Sequence, residues 1–164
     1  MKRVLLGLGS NIEDRQWYLQ QAIDHLRKVK GLEIQELSAF YETEPFGVKE
    51  QNAFLNAAVC VKTTLSPQDL LHRCQAIEVE MGRERNLHWG PRTLDIDLLH
   101  YEGVEMNTPE LTLPHPYLAW RRFVLVPLLE IWQESLPGGK TVQELLAVCD
   151  DKGSVKFYCA PPGK

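Results

Sequence analysis

The stretch WGPRTLDID, from Trp89 to Asp97, sets an arginine and two carboxylates around a short apolar run. Asp95 and Asp97 are two apart, so on an extended strand both side chains leave the same face. Two carboxylates on one face repel each other unless a cation lies between them. A hard divalent ion suits the gap: Mg²⁺ is usually held by one or two carboxylates, with water and substrate phosphates completing its shell. Leu94, Ile96 and Leu98 alternate with the aspartates, however, and that is also how a half-buried strand with a solvated face reads. For a bare DxD the solvated face is the ordinary reading, and the neighbourhood is what shifts it. Arg83, Arg85, His88, Trp89 and Arg92 lie within one short segment. Guanidinium forks match phosphate oxygens and stay charged at any working pH, so the cluster suits phosphate handling. Each arginine taken singly reads first as a solvated surface charge.

Length and charge bound what such a site can serve. The chain has 164 residues and a formal net charge of -4. That length suits one domain, residues 1–164, with a sizeable core. The acidic balance argues against a general nucleic-acid binder, which needs a basic surface to displace counterions. A small phosphorylated ligand remains compatible. No apolar run approaches a membrane span, and the N-terminal run is too short for a signal peptide, so a soluble, cytoplasmic protein is expected. Cys60, Cys74, Cys149 and Cys159 are widely spaced without a CxxC pair, which suggests neither zinc nor a redox motif.

The elements that must position the cluster follow from changes in hydrophobic period. Arg3 to Leu8 reads as a strand, and Gly7-Leu8-Gly9-Ser10-Asn11 as the turn after it. Asp14 to Val29 carries apolar residues at helical spacing and closes at Gly31. Leu32 to Tyr41 reads as a strand, Glu42 to Asn52 as a polar loop around Pro45 and Gly47, and Phe54 to Thr63 as another strand. Ser66 is an N-cap with Pro67 at the first helical position, opening a helix to about Met81, where Gly82 stops it. Arg92 to Tyr101 is the DxD strand. This order predicts an α+β fold: a ferredoxin-like split βαβ core, with an antiparallel sheet and two helices on one face. The C-terminal extension is less regular. Pro109, Pro114 and Pro116 mark a loop-rich segment, and Phe123 to Trp132 is a helix or a buried segment interrupted at Pro127. Thr141 opens a short helix through Cys149, and Ala160 to Lys164 is expected to fray.

GPRTLDID, followed by LTLPHP, Arg121 and Phe123, resembles the 6-hydroxymethyl-7,8-dihydropterin pyrophosphokinase family of folate biosynthesis. The resemblance runs from the Gly7–Asn11 segment through Pro127. It implies transfer of the pyrophosphoryl group of ATP to the hydroxymethyl group of a reduced pterin, with release of AMP. It also implies two Mg²⁺ ions on Asp95 and Asp97, with Arg83 and Arg92 stabilising the transferred group. Leu71, Gln75, Glu78, Leu98, Thr112, His115 and Arg121 are then expected around the nucleotide, with Arg85 in a mobile closing role. Thr43, Pro45, Phe46, Phe54, Asn56 and Phe123 are expected around the pterin. Trp89, on a glycine-flanked loop, becomes a lid that excludes water. Without the resemblance, Gln75 and Glu78 are solvated residues of a surface helix, and Phe54 and Phe123 are ordinary core.

The chemistry is consistent with those residues. Attack at the β-phosphorus needs charge neutralised on both sides and donor and acceptor held in line. A pterin needs a flat slot with hydrogen bonds along one edge, and the Asn56 amide can donate and accept together. The sequence departs from the family at Glu110, where a basic residue is usual, at Pro116 for tyrosine, and at His88 for a basic residue. The segment between Arg85 and Trp89 is also one residue shorter, and altered nucleotide affinity follows. Three rivals fit less well. A phosphoryl-transferring kinase would leave ADP, and the P-loop signature is absent. An RNA-binding module lacks its aromatic-basic motif. A regulatory ligand-binding domain does not account for the arginines and aspartates. The expected partners are ATP and a reduced pterin, with no nucleic acid, no membrane, and a monomeric chain.

Overall fold

The computed structural model describes residues 1–12, 14–43, 53–82 and 94–163. Strand β1 (Lys2–Ser10) lies inside the sheet, with Val4, Leu6 and Leu8 on one face and Leu5, Gly7 and Gly9 on the other. It pairs antiparallel with β4 (Phe54–Thr63) on one side and with β5 (Asp95–Tyr101) on the other. Strands β2 (Leu32–Leu37) and β3 (Phe40–Thr43) both pair with β4, and β8 (Val155–Cys159) extends the sheet beyond β3. The order along the main path is β5-β1-β4-β3-β8, antiparallel at every step, which among the described residues leaves β5 at an edge.

Several boundaries differ from the sequence expectation. Gly7 and Gly9 belong to β1, because their lack of side chains is accommodated by the sheet and no turn begins until past Ser10. The single strand expected over Leu32–Tyr41 is two. At the break, the Ser38 hydroxyl accepts the Ala58 amide at 2.8 Å and donates to the Ala39 carbonyl at 2.7 Å, standing in for a ladder rung while the backbone steps sideways. Glu42 and Thr43 continue β3 where a loop was expected. The short ribbon of β6 (Met106–Asn107) and β7 (Thr112–Leu113) falls in the proline-marked segment, and the Leu113–Pro114 bond is cis.

The helices form for reasons visible in their ends. Helix α1 (Arg15–Arg27) is capped by Asp14, whose carboxylate accepts the Trp17 amide at 3.1 Å, and the chain leaves it through Gly31 at φ 84. Helix α2 (Pro67–Glu80) has Ser66 accepting the Asp69 amide at 3.1 Å and proline in its first turn. Helix α3 (Arg122–Ile131) resolves the choice over Phe123–Trp132 and contains Pro127. Helix α4 (Val142–Ala147) starts with a reciprocal Thr141–Glu144 capping box.

Two apolar layers result. Val4, Leu6, Leu8, Val59, Val61, Ile96 and Leu98 pack with α1 and α2 on one face. Leu5, Ala58, Cys60 and Leu99 pack with α3 and α4 on the other. The extension therefore covers the face opposite the first two helices. Its layer meets the sheet at Leu5, Ala58, Cys60 and Leu99, and Asp97 on that face stays exposed.

Candidate active site

The register of β1 against β5 sets Gly9 opposite Asp95 and Gly7 opposite Asp97. Ile96 and Leu98 turn into the core, so the two aspartates leave the sheet together on the α3 face, Asp95 half-buried and Asp97 exposed. Each faces a glycine, and no β1 side chain fills the space beside it. A Cβ on Gly9 would meet Asn56 Nδ2 at 2.9 Å, and one on Gly7 would touch Leu99 Cδ1 at 3.4 Å. Among the described residues, no three His, Cys, Asp or Glu side chains gather as metal ligands. A divalent ion held by Asp95 and Asp97 would draw on water or ligand oxygens for the rest of its shell, as Mg²⁺ commonly does.

Asn56 lies opposite Gly9 on the other side of β1, two strand spacings or about 10 Å from Asp95. Its amide is held in orientation: Thr43 Oγ1 donates to Oδ1 at 2.6 Å, and Nδ2 donates to the Leu8 carbonyl at 3.4 Å. Thr43 is buried and pairs with Phe54. Phe54 on β4 and Phe123 in the first turn of α3 are half-buried, and α3 packs against β4. The structure thus brings Thr43, Phe54 and Asn56 together on the aspartate face.

Of the rest of the expected set, Leu71, Gln75, Glu78, Leu98, Thr112 and His115 lie on β5 or on elements beside it. Leu71, Gln75 and Glu78 follow one line of α2; Leu71 and Glu78 are buried and Gln75 is exposed. Glu78 Oε2 accepts the Ile96 amide at 2.7 Å, so this carboxylate is not solvated. Leu98 packs in the core among the α1 and α2 side chains, and only its backbone borders the edge. Thr112 on β7 donates to Asn107 Oδ1 at 3.3 Å. The His115 amide donates to the Leu99 carbonyl at 2.8 Å, tying the following loop to β5. His115 Nδ1 accepts the Tyr117 amide at 3.1 Å, which leaves the ring proton on Nε2, and burial holds the imidazole below its ordinary pKa. Arg85, Arg83, Arg92, Trp89, Pro45 and Phe46 lie outside the described residues, as does His88.

Two aromatic partners of Arg121 were not anticipated from the sequence. Its guanidinium stands 4.3 Å from the Trp120 ring and 4.7 Å from the Tyr117 ring. Trp120 Nε1 in turn donates to the Pro116 carbonyl at 2.9 Å. The signal lay in two aromatics just ahead of an arginine in a loop, a spacing that suits cation–π contact. Glu110 is turned toward α2, where it pairs with His72 Nε2 at 3.1 Å.

Comparisons with known proteins identify the family of the chain. Residues 5–133 match the family model of 7,8-dihydro-6-hydroxymethylpterin-pyrophosphokinase. A 2-amino-4-hydroxy-6-hydroxymethyldihydropteridine pyrophosphokinase from Methylorubrum extorquens is 47% identical over 93% of this chain and 97% of its own. Its namesake from Bacillus subtilis is 42% identical over 93% of each. Among solved structures, Plasmodium falciparum HPPK-DHPS with pteroate superposes with a TM-score of 0.68 at 16% identity, which bears on the fold alone. That match covers 89% of this chain and 42% of the longer one. The chain belongs to the 7,8-dihydro-6-hydroxymethylpterin-pyrophosphokinase family.

Proposed function

We propose that Asp95 and Asp97 hold two Mg²⁺ ions at the edge of a ferredoxin-like core, between a nucleotide lying along β5 and a pterin lying against Asn56. The reaction they serve is transfer of the pyrophosphoryl group of ATP to the hydroxymethyl group of 6-hydroxymethyl-7,8-dihydropterin, releasing AMP, in folate biosynthesis. The observation that carries the site assignment is the pairing of both aspartates with glycines, in register with Asn56. Glycine at 7 and 9 keeps β1 side chains away from the two aspartates, and two hard carboxylates are the donor set Mg²⁺ prefers.

On this reading the pterin edge meets the Asn56 amide, already oriented by Thr43, and its faces meet Phe54 and Phe123. Pro45 and Phe46 close the slot. Holding the hydroxymethyl group in line with the β-phosphorus removes much of the entropic barrier. When bound, the metal ions supply charge neutralisation across the triphosphate and a lowered pKa at the attacking hydroxyl. Arg83 and Arg92 take up negative charge as the bond to the leaving AMP lengthens. Arg121, braced by two rings, clamps a phosphate, and His115 presents its Nε2 proton to the nucleotide. Leu71, Gln75, Leu98 and Thr112 line the nucleotide, while Arg85 and Trp89 close the site against water. We assign these residues to one domain of a monomeric chain. No helix among the described residues is long and apolar enough to cross a membrane, and we assign the enzyme to the cytoplasm.

Counting Mn²⁺ equivalents by paramagnetic resonance, with a non-transferable ATP analogue present, tests the metal assignment. Two equivalents are expected for the wild type and fewer for Asp97→Ala. Undiminished binding in the variant would overturn it.

A further inference from the structure

We propose that Glu78 is a positioning residue that pins the strand carrying both metal carboxylates; the inference rests on the reading of Asp95 and Asp97 as metal ligands. Glu78 is 4% exposed, a rare state for a glutamate and a costly one unless the carboxylate is well bonded. Its Oε2 takes the main-chain amide of Ile96 at 2.7 Å, the length of a charge-assisted hydrogen bond. Ile96 is the residue between the two aspartates.

That amide belongs to a strand that, among the described residues, has β1 on one side and no strand on the other. Edge strands slip and bulge more readily than central ones, and the β1–β5 ladder already shifts register between Leu5 and Leu6. Glu78 supplies from α2 the acceptor that a neighbouring strand would otherwise provide. It does so from below the sheet, while Asp95 and Asp97 project above it. Cys74, one turn earlier on α2, is buried in the same apolar layer as Ile96, and α2 packs against β5 beneath the DxD segment. Groups that orient metal ligands in this indirect way typically change metal affinity or activity by about 10–100-fold when removed.

The test compares Glu78→Met and Glu78→Gln with the wild type by two readouts. One is hydrogen exchange at the Ile96 amide in metal-free protein. The other is Mn²⁺ affinity by paramagnetic resonance with a non-transferable ATP analogue. Glu78→Met is expected to speed Ile96 exchange at least about tenfold and to weaken Mn²⁺ by about 10–100-fold. Glu78→Gln, which keeps a weaker acceptor, should shift both by about threefold, the scale of losing charge assistance. A folded Glu78→Met protein with unchanged Mn²⁺ affinity overturns the proposal, as does one that loses only metal-free nucleotide affinity. Should Glu78→Met fail to fold, Glu78→Gln decides alone, and unchanged values in it overturn the proposal. Asp97→Ala separates the two ideas. Wild-type Mn²⁺ affinity there means the metal assignment has failed, while loss there with no effect at Glu78 means only the pinning has failed.

Discussion

Replacing Gly9 with alanine should damage pterin binding far more than nucleotide binding. The new methyl would sit 2.9 Å from Asn56 Nδ2, closer than packed carbon and nitrogen atoms allow, so the amide must move. Moving it strains two hydrogen bonds, from Thr43 Oγ1 and to the Leu8 carbonyl. Alanine in a strand would otherwise gain about 0.5–1 kcal/mol over glycine. Overpacking costs about 1–3 kcal/mol, so a net destabilisation of about 1–2 kcal/mol is expected. On the proposed role of Asn56 as the amide that meets the pterin edge, misdirecting it costs about 1–3 kcal/mol. That corresponds to about 5–150-fold in KM for the pterin. Initial rates with the pterin varied at saturating MgATP, then with ATP varied at saturating pterin, separate the two effects. An unchanged pterin KM, or equal rises for both substrates, would refute the reasoning.

Trp120→Leu removes one of two rings bracing Arg121, and a cation–π contact of about 0.5–1 kcal/mol at an exposed site predicts a rise of about 2–5-fold in KM for ATP. An unchanged KM would mean that Arg121 needs no brace. His100 is 8% exposed, its Nδ1 has no hydrogen-bond partner among the described residues, and its ring meets Trp132 edge-on. Burial holds its pKa below 6.5; Glu102 opposes that shift and Arg3 adds to it. The unfolded chain therefore binds the proton first. Stability is lost as pH falls below about 6.5, until the folded-state value is passed. Denaturant midpoints between pH 7 and 5 should fall less steeply for His100→Phe, and identical slopes would rule out this residue as a source of the pH dependence.

The fold was legible where local chemistry decides it. Ser66 and Pro67 announce α2 by the cap and first-turn proline the structure contains, whereas α1 was read from helical spacing and its Asp14 cap was not. Two strands at positions 32–43 were not separable, because the step at Ser38 depends on a hydrogen bond to Ala58, twenty residues away. Strand β8 escaped notice because its side chains are largely exposed and its pairing with β3 is non-local. At the site, the alternation around Asp95 and Asp97 gave their common face directly. What Gly7 and Gly9 contribute could be read only from register, since a glycine beside a carboxylate on a neighbouring strand leaves no trace in the linear pattern. Glu78 shows the reverse case: helical spacing alone suggests a solvated residue, and only the position of β5 reveals a buried acceptor.

Nucleotide product analysis after mixing the protein with Mg²⁺, ATP and 6-hydroxymethyl-7,8-dihydropterin addresses the account at its centre. AMP should form only when the pterin is present and should be lost in Asp97→Ala. ADP as the product, or AMP undiminished in the variant, would contradict pyrophosphoryl transfer at this pair of carboxylates.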